Sequence, residues 1–220
     1  MLIRLPGVYR PQADTWLLVD ALRQAAIPDG ARVLDVGSGT GALSVAAATA
    51  GAGDVLAVDV SRRAALATWC NARARGLPIQ VRWGDALEVA AERLFDVIVA
   101  NPPYVPCELP SPPGRGRARA WDAGREGRAM VDRVAALAPL LLAPGGMVLI
   151  VHSQLCGVDR TLHQLRGGGL KASVVARHIE PFGPVLRGRV AFLEDGGLID
   201  VGQRHEELVV IRGDRIERAA

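Results

Sequence analysis

Short apolar runs rich in Val, Ile and Leu recur along the chain, separated by longer stretches rich in Ala, Arg and Leu. Uniformly apolar runs alternating with helical segments mark a parallel sheet covered on both faces, because such strands bury both of their sides. The pattern predicts strands at Arg32–Val36, Val55–Val58, Ile79–Trp83, Phe95–Ala100 and Met147–His152, with helices at Ala42–Ala50, Arg62–Arg75 and Gly127–Leu142 between them. Upstream, Asp14–Ala26 reads as a leading helix, with Asp14 or Thr15 at the N-cap and Trp16, Leu17, Val19 and Leu22 as its apolar faces. Downstream, Val158–Leu165 reads as a helix, Ala172–His178 as a strand and Glu207–Arg212 as a last short strand. Between these last two strands, Pro181–Asp200 carries Gly and Pro too often for a helix and reads as a hairpin. Two late strands after five core strands predict a doubly wound α/β fold whose seven-stranded, mostly parallel sheet has an antiparallel edge. With no internal repeat and no linker, 1–220 reads as one domain: a leading segment at 1–30, a core at 31–152, and C-terminal strands with an insertion at 153–220.

Composition narrows the class. Half of the 220 residues are hydrophobic and 22% are charged, which suits a chain burying a sizeable core and argues against disorder. Cys70, Cys107 and Cys156 are odd in number and lack C-x-x-C spacing, so neither a zinc framework nor a disulfide scaffold is expected, and a reducing cytoplasm fits best. Val134–Val151 is uncharged and nearly long enough to span a bilayer, but Pro139 and Pro144-Gly145-Gly146 break it into a helix end, a turn and a strand. Met1–Gln12 has no apolar stretch of signal-peptide length. His152, His163, His178 and His205 show no paired metal spacing, and no metal is expected.

The chemistry begins at Val33-Leu34-Asp35-Val36-Gly37-Ser38-Gly39-Thr40-Gly41, which joins the first strand to the first core helix. A ligand meets backbone amides at such a strand end, and glycines let it approach. A dinucleotide loop is spaced G-x-G-x-x-G for a pyrophosphate. Here Gly37, Gly39 and Gly41 alternate after an acidic residue, and a carboxylate at Asp35 suits a cationic ligand better than a diphosphate. Asp59 ends the second strand, where a carboxylate accepts from a ribose diol, and Asp85 with Ala86 follows the third, where it can accept from an adenine amino group. An adenosine-bearing, positively charged cofactor matches all three carboxylates, and S-adenosylmethionine is the candidate.

The fourth strand runs into Asn101-Pro102-Pro103-Tyr104. Two prolines fix a rigid turn whose carbonyls are free to accept. The Asn101 carboxamide oxygen and the Pro102 carbonyl can together hold both hydrogens of one planar NH₂ group. Holding them favours charge developing on that nitrogen as it attacks a sulfonium methyl, by electrostatic preorganisation and in-line positioning, with no titrating base needed before attack. Tyr104 would stack on the flat acceptor or wall its pocket. Planar NH₂ groups occur in nucleobases and in glutamine, so the motif alone leaves open a protein acceptor or an exocyclic amine of rRNA, tRNA or DNA. A cofactor-binding regulatory subunit without activity is a third reading, against which the intact Asn101 motif argues.

The cofactor loop and its acidic residues resemble those of class I methyltransferases over roughly Val33–Val151. With Val8-Tyr9-Arg10-Pro11-Gln12-Ala13-Asp14-Thr15, Ala120-Trp121-Asp122-Ala123-Gly124-Arg125-Glu126-Gly127-Arg128 and the last strand, the chain resembles the short, archaeal and eukaryotic branch of HemK-type release-factor glutamine methyltransferases. The resemblance implies a Rossmann-like fold and S-adenosylmethionine held by Asp35, Gly37, Gly39, Gly41, Asp59, Asp85 and Ala86, with Thr15 and Asn101 beside it. It further implies that Asn101, Pro102, Pro103 and Tyr104 receive the glutamine amide of a release-factor Gly-Gly-Gln loop, with a small activating subunit as a further partner. Arg10, Ala13 and Ala123 depart from the family pattern, and 181–200 looks like an insertion.

Charge adds one local feature. The 26 basic and 23 acidic residues give only +3, too little to announce a nucleic-acid protein. Arg115, Arg117, Arg119, Arg125 and Arg128 against Asp122 and Glu126 supply all of that surplus, in and just after the loop that follows the catalytic turn. Arg115, Arg117 and Arg119 are therefore expected to meet an acidic or phosphate-bearing surface of the substrate.

Overall fold

The computed structural model describes residues 1–91, 93–114 and 116–216. Its helices are α1 (Ala13–Gln24), α2 (Ala42–Thr49), α3 (Arg62–Arg73), α4 (Ala86–Ala90), α5 (Ala129–Leu141), α6 (Val158–Gly167), α7 (Pro184–Arg187) and α8 (Val190–Asp195). Its strands are β1 (Arg32–Val36), β2 (Asp54–Asp59), β3 (Ile79–Trp83), β4 (Phe95–Ala100), β5 (Leu142–Ser153), β6 (Lys171–Pro181) and β7 (His205–Asp214). Among the described residues these strands form one sheet in the order β3-β2-β1-β4-β5-β7-β6. The first five are parallel, and β7 pairs antiparallel with both β5 and β6, as expected from the two late strands.

Strand alternation divides the core into two layers. Val33, Val55, Val97 and Leu149 pack with Leu18 and Leu22 of α1 and Leu43 of α2 on one face. Leu34, Leu56, Ile98 and Ile150 pack with Val134 and Leu141 of α5 and Leu165 of α6 on the other. Uniform runs in the sequence thus reflect strands buried on both sides. The chain order reverses between β1 and β4, whose neighbouring C-terminal ends diverge and open a crevice. Into that crevice run the glycine loop after β1 and the Asn-Pro-Pro-Tyr turn after β4.

Three expectations need correction. Pro181–Asp200 is not a hairpin: it forms α7 and α8, with Pro184 in the first turn of α7 and Gly188 and Gly196 as C-caps. Gly and Pro there punctuate two short helices, and the same residues would punctuate a hairpin. The strand expected from Met147 begins at Leu142, and the Pro144–Gly146 turn is a bulge inside β5, where partners shift from Phe95↔Leu142 to Val97↔Met147. Neither Asp14 nor Thr15 caps α1; Gln12 holds the N-cap position, and both are buried inside the first turn.

One glycine fixes how α5 meets the catalytic turn. Gly127 has φ +68°, and a Cβ there would stand 2.3 Å from the Tyr104 carbonyl oxygen and 3.0 Å from the Cys156 sulfur. Gly127→Ala is expected to destabilise the fold by about 2–4 kcal/mol through strain and this clash, read as a lower denaturation midpoint. A variant as stable as the wild type would show that the approach is not required.

Candidate active site

A cavity of about 840 Å³ fills the crevice, bordered by the glycine loop, the ends of β2 and β4, the start of α1, the arginine loop and the insertion. On the cofactor side the glycine loop is held from α3. The Thr68 hydroxyl donates to the Gly39 carbonyl at 3.2 Å and lies 3.0 Å from the Ser38 hydroxyl, and the Asn71 amide donates to the Thr40 carbonyl at 2.9 Å. Gly37 lines the cavity with φ +77°, and nothing lies within 4 Å of where its Cβ would be, which leaves open space above the loop for a ligand. Asp59 also lines it, accepting from the Gly39 amide at 2.9 Å and the Ser61 amide at 2.7 Å. Burial raises its pKa against the lowering effect of those amides. A carboxylate accepts about four hydrogen bonds, so room remains for a ribose diol.

Asp85 and Ala86 line the far end, where Asp85 pairs with Arg133 of α5 at 2.6 Å. Glycines that open space, a carboxylate at the ribose distance along the sheet and an acid at the adenine end fit the adenosyl moiety read from the sequence. Two of the named residues stand elsewhere. Asp35 and Gly41 do not border the cavity. Asp35 is fully buried beneath the loop, accepting from the Ser44 amide at 3.0 Å and from the Ser44 hydroxyl, with burial pushing its pKa up to about 7. Gly41 packs against Thr68, whose Cγ2 a Cβ would meet at 2.9 Å.

On the acceptor side the organising group is Asp14, a residue the sequence offered only as a helix cap. It is 3% exposed. Its Oδ1 accepts from the Thr15 amide at 2.6 Å and the Thr15 hydroxyl at 3.1 Å, and its Oδ2 from the Tyr9 hydroxyl at 2.9 Å and the Tyr104 hydroxyl at 3.1 Å. Thr15 Oγ1 in turn accepts from the Asn101 Nδ2 at 3.1 Å. That bond commits the nitrogen end of the carboxamide to the protein, and leaves Oδ1 as the acceptor that Asn101 presents. Pro102 and Pro103 complete the turn on the cavity wall. Tyr104 also walls the cavity, but its hydroxyl is bound to Asp14 and its ring packs with Val131, Cys156 and Leu208. Burial and the Asp14 charge raise the pKa of both phenols. Thr15 therefore reaches the site through Asn101. The signal for Asp14 was present in the Tyr-x-Pro-x-x-Asp-Thr stretch, whose spacing brings Tyr9 and Asp14 together.

Arg117 and Arg119 border the cavity on its cofactor side. The Arg117 stem lies next to Gly7, and Arg119 is close enough to Asp59 to lower its pKa. Arg115 lies outside the described residues. The loop is closed at its base where the Val105 amide donates to the Trp121 carbonyl at 2.7 Å and the Ala123 amide to the Val105 carbonyl at 3.0 Å. The insertion, unassigned in the sequence reading, supplies Gly183, Pro184, Val185 and Leu186 to the acceptor wall. Arg189 ties it to the catalytic segment by donating to the Pro106 carbonyl at 2.9 Å and pairing with Asp122 at 2.6 Å.

Thr15→Val removes the acceptor for the Asn101 amide while keeping the side-chain shape. A drop in kcat of about tenfold to a hundredfold is expected, with cofactor Kd held within about threefold. An unchanged kcat would show that Asn101 needs no such anchor.

The methyltransferase small domain family matches residues 2–108. A protein of Methanocaldococcus jannaschii, "Putative protein N5-glutamine methyltransferase MJ0928", is 34% identical over 177 residues, covering 80% of this chain and 88% of its own. Mouse "Methyltransferase HEMK2" is 36% identical over 173 residues, 76% of this chain and 81% of its own. A "Release factor glutamine methyltransferase" of Geobacter sulfurreducens is 35% identical over 153 residues, 66% of this chain and 53% of its own. In fold, a T. thermophilus 16S rRNA methyltransferase, RsmC, solved with AdoMet and guanosine, superposes with a TM-score of 0.64 at 23% identity, over 98% of this chain and 46% of that one. The glycine loop and the Asn101 turn thus sit in a chain that belongs to the HemK-type N5-glutamine methyltransferases, S-adenosylmethionine-dependent enzymes with a Rossmann-like fold, and to their short archaeal and eukaryotic form.

Proposed function

We propose that the protein methylates the side-chain amide nitrogen of the glutamine in a Gly-Gly-Gln loop of a peptide-chain release factor, giving N5-methylglutamine. The observation that carries this reading is the anchored Asn101 carboxamide, which donates to Thr15 and so presents its oxygen next to the Pro102 carbonyl. Two fixed acceptors match the two hydrogens of one planar amide NH₂ and hold its nitrogen in line. S-adenosylmethionine, on the Gly37 and Asp59 side, supplies the electrophilic methyl group. A primary amide is a weak nucleophile, so the chain contributes orientation and stabilisation of the developing positive charge.

The names of the relatives support the glutamine acceptor, and the release factor as its carrier is supported by the Geobacter relative. A small activating subunit belongs to the same reading. The outer edge of the sheet supports a seat for it, since β3 has a strand neighbour on one side only and Trp69 and Trp83 are 51% and 56% exposed. A cytoplasmic setting is supported by three free cysteines. No helix among the described residues is long and apolar enough to cross a membrane.

Mass spectrometry of release-factor tryptic peptides, from cells with and without this protein, is expected to show N5-methylglutamine in the Gly-Gly-Gln peptide only in the former. Asn101→Ala should lower transfer in vitro by about 10²-fold or more with a much smaller change in cofactor affinity. Label found on RNA or DNA, with the glutamine unmodified, would replace the protein acceptor by a nucleobase. The arginine loop gives a separate expectation: KM for the macromolecular substrate should rise with salt, and the slope should flatten in the Arg117→Ala/Arg119→Ala variant. A salt-independent KM would remove the loop from substrate recognition.

A further inference from the structure

Six carboxylates line the cavity among the described residues: Asp14, Asp59, Asp85, Asp122, Glu180 and Glu206. Five have protein partners for their charge. Asp14 takes four hydrogen bonds, Asp59 two backbone amides, Asp85 and Asp122 each pair with an arginine, and Glu180 stands 3.1 Å from the His178 ring. Glu206 differs. It is 8% exposed, and its Oε2 is buried without a hydrogen-bond partner. It stands on β7 two residues before Leu208, hence on the same strand face, and both border the acceptor end of the cavity. A buried carboxylate oxygen with no donor is costly unless the group is protonated or meets a proton during function.

We propose that Glu206 takes the proton that the acceptor nitrogen sheds once it has been methylated, an inference that rests on the amide acceptor above. The nitrogen's electron pair forms the N–CH₃ bond as the S–CH₃ bond breaks and its pair stays on sulfur. The nitrogen now carries a positive charge and two protons. One passes to a Glu206 oxygen, leaving a neutral N-methyl amide and a neutral carboxylic acid, and the acid returns its proton to water when the product leaves. Asn101 and Pro102 hold the hydrogens but cannot keep a proton, and the Tyr9 and Tyr104 phenols are donors to Asp14. The transfer replaces two opposite charges by two neutral groups, which low-dielectric surroundings favour.

The groups that set the Glu206 charge come from every element around it. Burial pushes its pKa up to about 7; Asp14 of α1 and Glu180 of β6 add to the rise, and Ser153 at the end of β5 opposes it. Tyr9 and Tyr104 are within electrostatic reach from the leading loop and the catalytic turn. A base must be ionised to accept, so the rate should fall as pH drops through that value.

The test is the single-turnover rate of the full chain with saturating S-adenosylmethionine and a release factor, from about pH 5.5 to 9. Wild type should lose about tenfold per pH unit on the acidic limb. Glu206→Gln should react about 10²-fold more slowly and lose that limb, while cofactor Kd stays within about threefold; Glu206→Asp should keep the limb at a reduced rate. A wild-type rate in Glu206→Gln, or an acidic limb unchanged in it, overturns the proposal and points to another titrating group such as Asp35. A wild-type minus Glu206→Gln infrared difference titration needs no acceptor. It should show a carboxyl protonating near the pH given above, and its absence also overturns the proposal. A release factor left unmethylated by the wild type would sink the glutamine reading alone, and the infrared titration would still decide Glu206.

Discussion

A carboxylate removed from water must be given hydrogen-bond donors, and the buried Asp14 takes its donors from three parts of the chain that the rest of the site depends on. Tyr9 comes from the leading loop, Thr15 from α1 itself and Tyr104 from the turn after β4. Each donor is thereby fixed, and one of them, the Thr15 hydroxyl, is also the acceptor that orients Asn101. The geometry of the acceptor site is consequently tied to the docking of α1, which Leu18, Val19 and Leu22 press against the sheet beside α2. A hydrophobic helix face and one buried charge together set the direction of a single amide.

The sheet order assigns the two halves of the cavity different tasks. Loops from β1 and β2 supply glycines and Asp59 on one side, and the turn after β4 supplies Asn101 and Pro102 on the other. The reversal between β1 and β4 brings the two loops face to face without either strand deviating from its run. Charge is divided in the same way. Arg117 and Arg119 stand on the cofactor side, near Asp59, whereas the acceptor side is walled by carboxylates, proline and apolar side chains of the insertion. The arginine loop, expected beside the acceptor, thus borders the cofactor more closely than the reacting amide.

What the sequence made legible was local. Strands buried on both faces announce themselves by uniform apolar runs, and the glycine loop and the Asn101 turn are contiguous, so both could be placed at strand ends before any tertiary contact was known. The rest depends on residues brought together from afar. Asn101 and Thr15 are 86 positions apart, Tyr104 and Asp14 are 90 apart, and no periodicity links them. Glu206 reads as one more charge in a polar run before an apolar strand, and only the sheet order carries it to the cavity. In the insertion the failure was of another kind: glycine and proline mark ends of elements without saying which elements, and burial of Phe182, Leu186, Leu193 and Ile199 in one cluster decided for helices.

Asp35 shows how a motif can be read rightly for place and wrongly for task. The acid before the glycine loop suggested attraction to a cationic ligand, yet its carboxylate points beneath the loop to the Ser44 amide and hydroxyl. The N-cap of α2 is Gly41, which has no side chain to cap with and cannot acquire one, since a Cβ would meet Thr68 and φ is +80°. The first turn of a helix needs an acceptor for its free amides. Asp35, reaching across from β1, supplies the acceptor that the close packing of Gly41 on α3 forbids locally. The spacing of acid and glycines is therefore a structural pair: the last glycine brings the helix close, and the acid caps it from a distance. The cofactor gains from both through the position of Gly37 and Gly39, which the capped helix and Thr68 hold at the mouth of the crevice.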